Sequence, residues 1–142
     1  NMNVVLRIKT DQRSFILKQS RPYVQKYQEI PAPIGRIKTE YQFYQGIDND
    51  QLSADVPKMF QYDDDHHLLM MEDLGDCEDM SAIYAEKACE GLTLNKLINI
   101  ISLIHSTKVS EKFPSNDELR ALNHQHIFVL PFMEDNGFQL KR

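Results

Sequence analysis

Cysteine is scarce in this sequence: Cys77 and Cys89 are the only two among 142 residues. They form no CxxC pair and no larger ligand set, which excludes a disulfide-stapled secreted scaffold and a cysteine-built zinc site. Reduced thiols and a cytoplasmic location are the expectation. Long apolar runs are also missing, since no uninterrupted stretch approaches the roughly 18 residues of a membrane span. The amino end shows no basic segment followed by an apolar one, the mark of an export signal. Lysine and arginine are scattered and the net charge is −5, so capture of a nucleic-acid backbone has no electrostatic basis. Internal repeats and low-complexity tracts are absent.

What is present reads as a globular chain, 42% hydrophobic and 26% charged, of the length of one ordinary domain. The first residues, "NMNVVLRI", are already on the threshold of a strand, and the last, "DNGFQLKR", follow a finished apolar segment. Together the two ends suggest part of a longer polypeptide.

Alternation in "NVVLRI", a polar "TDQR" and a second strand in "SFILKQ" predict an antiparallel hairpin. The following "SRPYVQKYQEIPAPIGR", with three prolines and a glycine, reads as a long irregular connection. "RIKTEYQFYQGI" reads as a helix, with Ile37, Tyr41 and Tyr44 at helical spacing and Gly46 near its end. "VPKMFQY" is a short strand, "DDDHH" a turn, and "LLMMEDLG" an apolar strand that ends in two carboxylates and a glycine. Helices are expected over "DMSAIYAEKACEG" and "TLNKLINIISLIHS". The second has Leu94, Leu97, Ile98, Ile101 and Ile104 on one stripe, read as core packing, and Thr93 as its cap. "SNDELRALNHQ" predicts a short helix and "IFVLPF" a short extended or buried segment.

Lys18 poses the sharpest question, because it closes the apolar run Phe15, Ile16, Leu17. An ammonium at the end of a buried strand must reach solvent or own an anionic partner. Taken by themselves, Lys18 reads as a solvated strand end and Glu40, in the middle of the next helix, as a solvated helix face.

Two other clusters invite a metal reading. Adjacent residues of the tight "DDDHH" turn do not converge on one ion, and "HQH" (residues 124–126) lacks a third ligand at a suitable spacing. His105, at the end of an apolar stripe, suits the carboxyl end of a helix dipole. Ser81 and Ser102 have no evident base partner, which leaves a serine hydrolase without support.

The order strand, strand, helix, strand, strand, helices, together with three words of the sequence, resembles a known family. "NMNVVLRI", "ILKQSRPYV" and "MMEDLG" are similar to segments of the methylthioribose kinases, within the aminoglycoside phosphotransferase and choline kinase group, and the likeness continues through "RIKTE". It is strongest before Gly75 and returns faintly in "DELRALNHQHIFVLPF".

The resemblance implies an α+β fold: a protein-kinase-like small lobe with a hinge over residues 1–74, then helices beginning a large lobe over residues 75–142. It implies ATP as cofactor, with Asn1, Met2 and Asn3 as the tail of the loop that covers the phosphates. Lys18 would contact the α- and β-phosphates and Glu40 would orient it. Met71 would lie behind the adenine, while the carbonyl of Glu72 and the N–H of Leu74 would read its edge. The implied partners are ATP and a small hydroxyl acceptor, with neither nucleic acid nor membrane.

The sequence also departs from the family pattern. Gly35 stands where the group more often has a polar residue. The chain contains no His-Gly-Asp or His-Arg-Asp catalytic loop and no later Asp segment for Mg²⁺, so catalytic residues and metal ligands are expected outside it. The alternative is a non-catalytic module, a pseudoenzyme or interaction domain, on the same fold.

Overall fold

A computed structural model describes residues 2–47, 50–77, 80, 81, 84, 91–108 and 114–135, with the side chains of residues 50 and 51 left aside. The fold is α+β, built on a four-stranded antiparallel sheet.

The expected hairpin forms from β1 (Asn3–Lys9) and β2 (Ser14–Ser20). Thr10 turns it: its hydroxyl receives the Arg13 N–H at 3.1 Å while its own N–H donates to the Arg13 carbonyl at 2.8 Å. The proline-rich stretch is less irregular than its composition suggests. It folds into a small second hairpin of β3 (Tyr23–Val24) and β4 (Tyr27–Pro31), with a register shift between Tyr23 and Val24. Pro31 is tolerated because it sits at a strand end, where a missing N–H costs least.

Helix α1 (Arg36–Gly46) follows, then a single turn, α2 (Asp50–Ser53). Strands β5 (Met59–Asp63) and β6 (Leu68–Glu72) complete the main sheet in the order β1-β2-β6-β5. The lysine-bearing strand and the strand that leads to "EDLG" are therefore direct neighbours.

Opposed residues of an antiparallel ladder share a face. One row holds Val5, Lys18, Leu69 and Tyr62, and the next holds Arg7, Ile16, Met71 and Met59. Helix α1 lies on this face, tied to it by the Lys18–Glu40 contact and by Tyr41 stacked on Tyr62 with ring centroids 5.1 Å apart. Ile37 of the helix and Leu69 of the sheet are fully buried, as is Leu52 from α2.

Three expectations are corrected beyond the sheet. Helix α3 (Gly91–Ser106) is already helical two residues before Thr93, so Thr93 lies inside it. Its stripe of Leu94, Leu97, Ile98, Ile101 and Ile104 is exposed, with Ile98 at 53%; the periodicity specifies an amphipathic helix, but no described element covers the apolar side. After α4 (Asp117–His124), "IFVLPF" is neither extended nor buried. The chain coils on through a π-type turn (Gln125–Val129) and a 3-10 turn (Leu130–Phe132). The helix expected over residues 79–91 lies largely outside the described residues. Among the described residues no helix is long and apolar enough to cross a membrane.

Candidate functional site

Lys18 has its partner. Its Nζ donates to Glu40 Oε1 at 2.7 Å, and both side chains are about three-quarters covered, 23% and 26% exposed. Neither charge is left alone in a poorly solvated position, where it would be costly. Tyr44, one turn beyond Glu40, has its phenol pushed up, first by burial and then by the Glu40 charge.

The other expected site residues fall along β2 in a fixed order. Asn3 opposes Ser20, Lys18 opposes Leu69, Ile16 opposes Met71, and Phe15 opposes Glu72. Leu69 to Glu72 is three residues, so the lysine row and the strand exit are roughly 10 Å apart along the sheet. Met71 shares the Lys18 face, one row nearer the exit. Leu74 lies past the end of β6, exposed, with no described partner for its backbone N–H.

The two carboxylates that end the strand have work of their own. Glu72 Oε2 receives the Lys58 N–H at 3.0 Å. The Asp73 side chain is 97% covered and pairs with Arg7 Nε at 3.1 Å, while Arg7 also reaches Asp76 at 3.0 Å and the Gly75 carbonyl at 2.6 Å. Asp73 further accepts the Gly75 N–H at 3.0 Å, in a turn where Gly75 takes φ +82°, a conformation that favours glycine. The Ser14 hydroxyl, the Gly75 N–H and Arg7 hold the Asp73 carboxyl below the ordinary carboxylate range. The segment after the strand is thereby pinned to β1.

At the other end, Asn1 lies outside the described residues. Met2 and Asn3 turn their oxygens to Arg36: the Met2 carbonyl accepts from Nη2, and Asn3 Oδ1 accepts from Nε at 3.0 Å. A cavity of about 450 Å³ opens here, lined by Met2, Asn3, Arg36, Thr39 and Glu40 among others. The larger hollow, lined along α4 by Asp117, His124 and Phe128, is remote in sequence from every residue of the lysine cluster.

The arrangement offers, along one face of the sheet, polar groups, an ammonium oriented by a carboxylate and an apolar ceiling edged by Arg7, and past the strand exit a backbone N–H with no described partner. Val5 and Ile16 belong to that ceiling beside Met71. Sequence reading missed both, although the period-two alternation that places Lys18 places Ile16 on the same side. It also missed Arg7 and Arg36, whose carbonyl partners have no sequence signature.

Among the described residues no group of three or more His, Cys, Asp or Glu could hold a metal ion. In the "DDDHH" turn, Asp63 pairs with His66 at 2.9 Å and Asp64 with Lys38 at 2.8 Å.

Known proteins decide nothing further. No family model, curated protein or solved structure matches the chain.

Proposed function

We propose that this chain is the nucleotide-binding lobe of an ATP-dependent small-molecule kinase. The whole protein would transfer the γ-phosphoryl group to a hydroxyl of a sugar-like, aminoglycoside-like or aminoalcohol acceptor. The observation that carries the reading is the 2.7 Å pair between Lys18 on a central strand and Glu40 on the helix over it. Such a strand-lysine and helix-glutamate pair holds ATP phosphates in kinase-like folds. The neighbouring strand adds support, because its exit lies about a nucleoside's reach from the lysine row, with Met71 between them on the same face.

In this reading the adenine lies under Val5, Ile16 and Met71, with its edge toward Glu72 and Leu74. The Lys18 ammonium, freed from rotation by Glu40, takes the first phosphates. Mg²⁺, when bound with ATP, would neutralise charge on the transferring group, and its ligands are expected outside this chain. Burial of apolar surface against the base supplies non-directional affinity, and the backbone at the strand exit supplies orientation.

The test is transfer of labelled γ-phosphate from ATP to a panel of hydroxyl acceptors by the protein that contains this chain. Acceptor-dependent transfer supports the kinase. ATP binding without transfer to any acceptor favours a pseudoenzyme on the same lobe.

A further inference from the structure

Arg36 is placed where a cation is unwelcome. It is 6% exposed and is the first residue of α1, at the positive end of the helix dipole. The first turn contains no acidic residue, and no described carboxylate lies within ion-pair distance of the guanidinium. Its four hydrogen-bond partners are all neutral oxygens: the carbonyls of Met2, Arg21 (2.9 Å) and Pro33 (2.6 Å), and Asn3 Oδ1 (3.0 Å). Burial alone shifts its pKa, downward, with no opposing charge to offset it. Four of five N–H groups are satisfied in geometry, but the charge is not compensated.

The location gives that charge a use. Arg36 lines the cavity shared by Met2, Asn3, Thr39 and Glu40, one helical turn from the carboxylate that already neutralises Lys18. The Lys18–Glu40 pair is a net zero, whereas a nucleoside polyphosphate arrives with several negative charges. A buried cation hydrogen-bonded to neutral oxygens alone keeps an unpaired charge that favours an anion, even with Glu40 in the same cavity and Asp117 and Glu118 in the adjoining one.

We propose that Arg36 supplies the unpaired positive charge of the nucleotide site, favouring the polyphosphate end of the ligand in the cavity bounded by Met2 and Asn3, by α1, and by Pro114, Asn116 and Leu119. This rests on the nucleotide reading above and adds a residue and a direction to it. The same guanidinium holds the segment before β1 against the helix that carries Glu40, so phosphate attraction and placement of the strand's leading residues share one side chain.

The experiment is calorimetric binding of ATP, ADP and adenosine to the wild-type protein, Arg36→Gln and Arg36→Lys. Arg36→Gln should weaken ATP about ten- to a hundredfold, ADP by less, and adenosine not at all. Arg36→Lys keeps the charge and loses the fork, so it should retain the preference for ATP over adenosine while melting earlier. Equal weakening of all three ligands would mark a purely structural role and overturn the proposal, as would unchanged ATP affinity in Arg36→Gln. If Arg36→Gln does not fold, the wild-type Arg36 Nε–H resonance serves instead: a shift with ADP and none with adenosine supports the proposal, and no shift with either overturns it. Wild-type protein that binds none of the three ligands defeats the nucleotide reading itself. Binding without a phosphate-dependent loss defeats only the role of Arg36.

Discussion

Lys18 and Glu40 are 22 residues apart in sequence and 2.7 Å apart in space. One stands on the second strand of the sheet and the other on the helix laid across it. The contact fixes the helix over a chosen row of the sheet and removes the rotational freedom of a long cationic side chain.

Because the two act as a unit, their substitution should be non-additive. Under the proposed kinase function, Lys18→Ala should lower phosphotransfer by at least about a hundredfold with an unchanged far-ultraviolet circular dichroism spectrum. Glu40→Gln should act in the same direction, and the double variant should be little worse than Lys18→Ala alone. Independent, multiplying losses in the cycle would mean that the pair does not function together.

Asp73 should make the strand exit acid-sensitive. Its carboxyl titrates below its ordinary value of 3.8 in the folded protein, so the folded state binds the proton less readily than the unfolded chain. The stabilisation is complete above that ordinary value and is lost as pH falls through the lower folded one. Asp73→Asn should therefore melt earlier than wild type at neutral pH, and the difference should shrink as the pH drops below about 4. A constant difference across that range would remove the ionised Asp73 from the account.

Tyr62 should ionise late. Burial, the 2.8 Å hydrogen bond it donates to Asp64 and the nearby carboxylates push its phenol up from 10. A raised folded value stabilises the fold below the unfolded pKa and is lost as pH rises through the folded one. In a spectrophotometric alkaline titration, replacing Tyr62 with Phe should remove a tyrosine that ionises only in the highest range. Loss of a group titrating near pH 10 would contradict the packing described for the Tyr41–Tyr62 stack.

Core and stripe should separate cleanly. Ile37→Ala empties a fully buried position and is expected to cost about 2–5 kcal/mol. Ile98→Ser, on the exposed side of α3, should change stability by less than about 0.5 kcal/mol. Chemical denaturation of the two variants compares them directly, and a large loss in Ile98→Ser would mean that the stripe is covered in the folded protein.

The parts legible in the sequence are those set by local alternation and helical period. Strands β1 and β2 and helix α1 follow from period two and period 3.6, which fix the residues that share a face, whereas the pairing of Glu40 with Lys18 was legible only through the family resemblance. The β3–β4 hairpin was hidden because proline signals a break, while here Pro31 merely ends a strand. "IFVLPF" misled because its β-branched and aromatic residues favour a strand, yet the chain continues from α4 without a stop signal. The exposed stripe of α3 shows that a period identifies an apolar side but does not supply the surface that buries it. Arg7 and Arg36 were illegible for another reason: most of what they bind is backbone carbonyl and distant carboxylate, which tertiary structure alone brings together.

The central claim is that ATP sits with its phosphates at Lys18. An ATP analogue with a reactive acyl phosphate transfers its acyl group to the lysine nearest the nucleotide's phosphates, and peptide mass spectrometry locates the label. Lys18 should be labelled ahead of exposed lysines such as Lys38, and excess unlabelled ATP should abolish that labelling selectively. Labelling spread over surface lysines with no protection of Lys18 by ATP would contradict it.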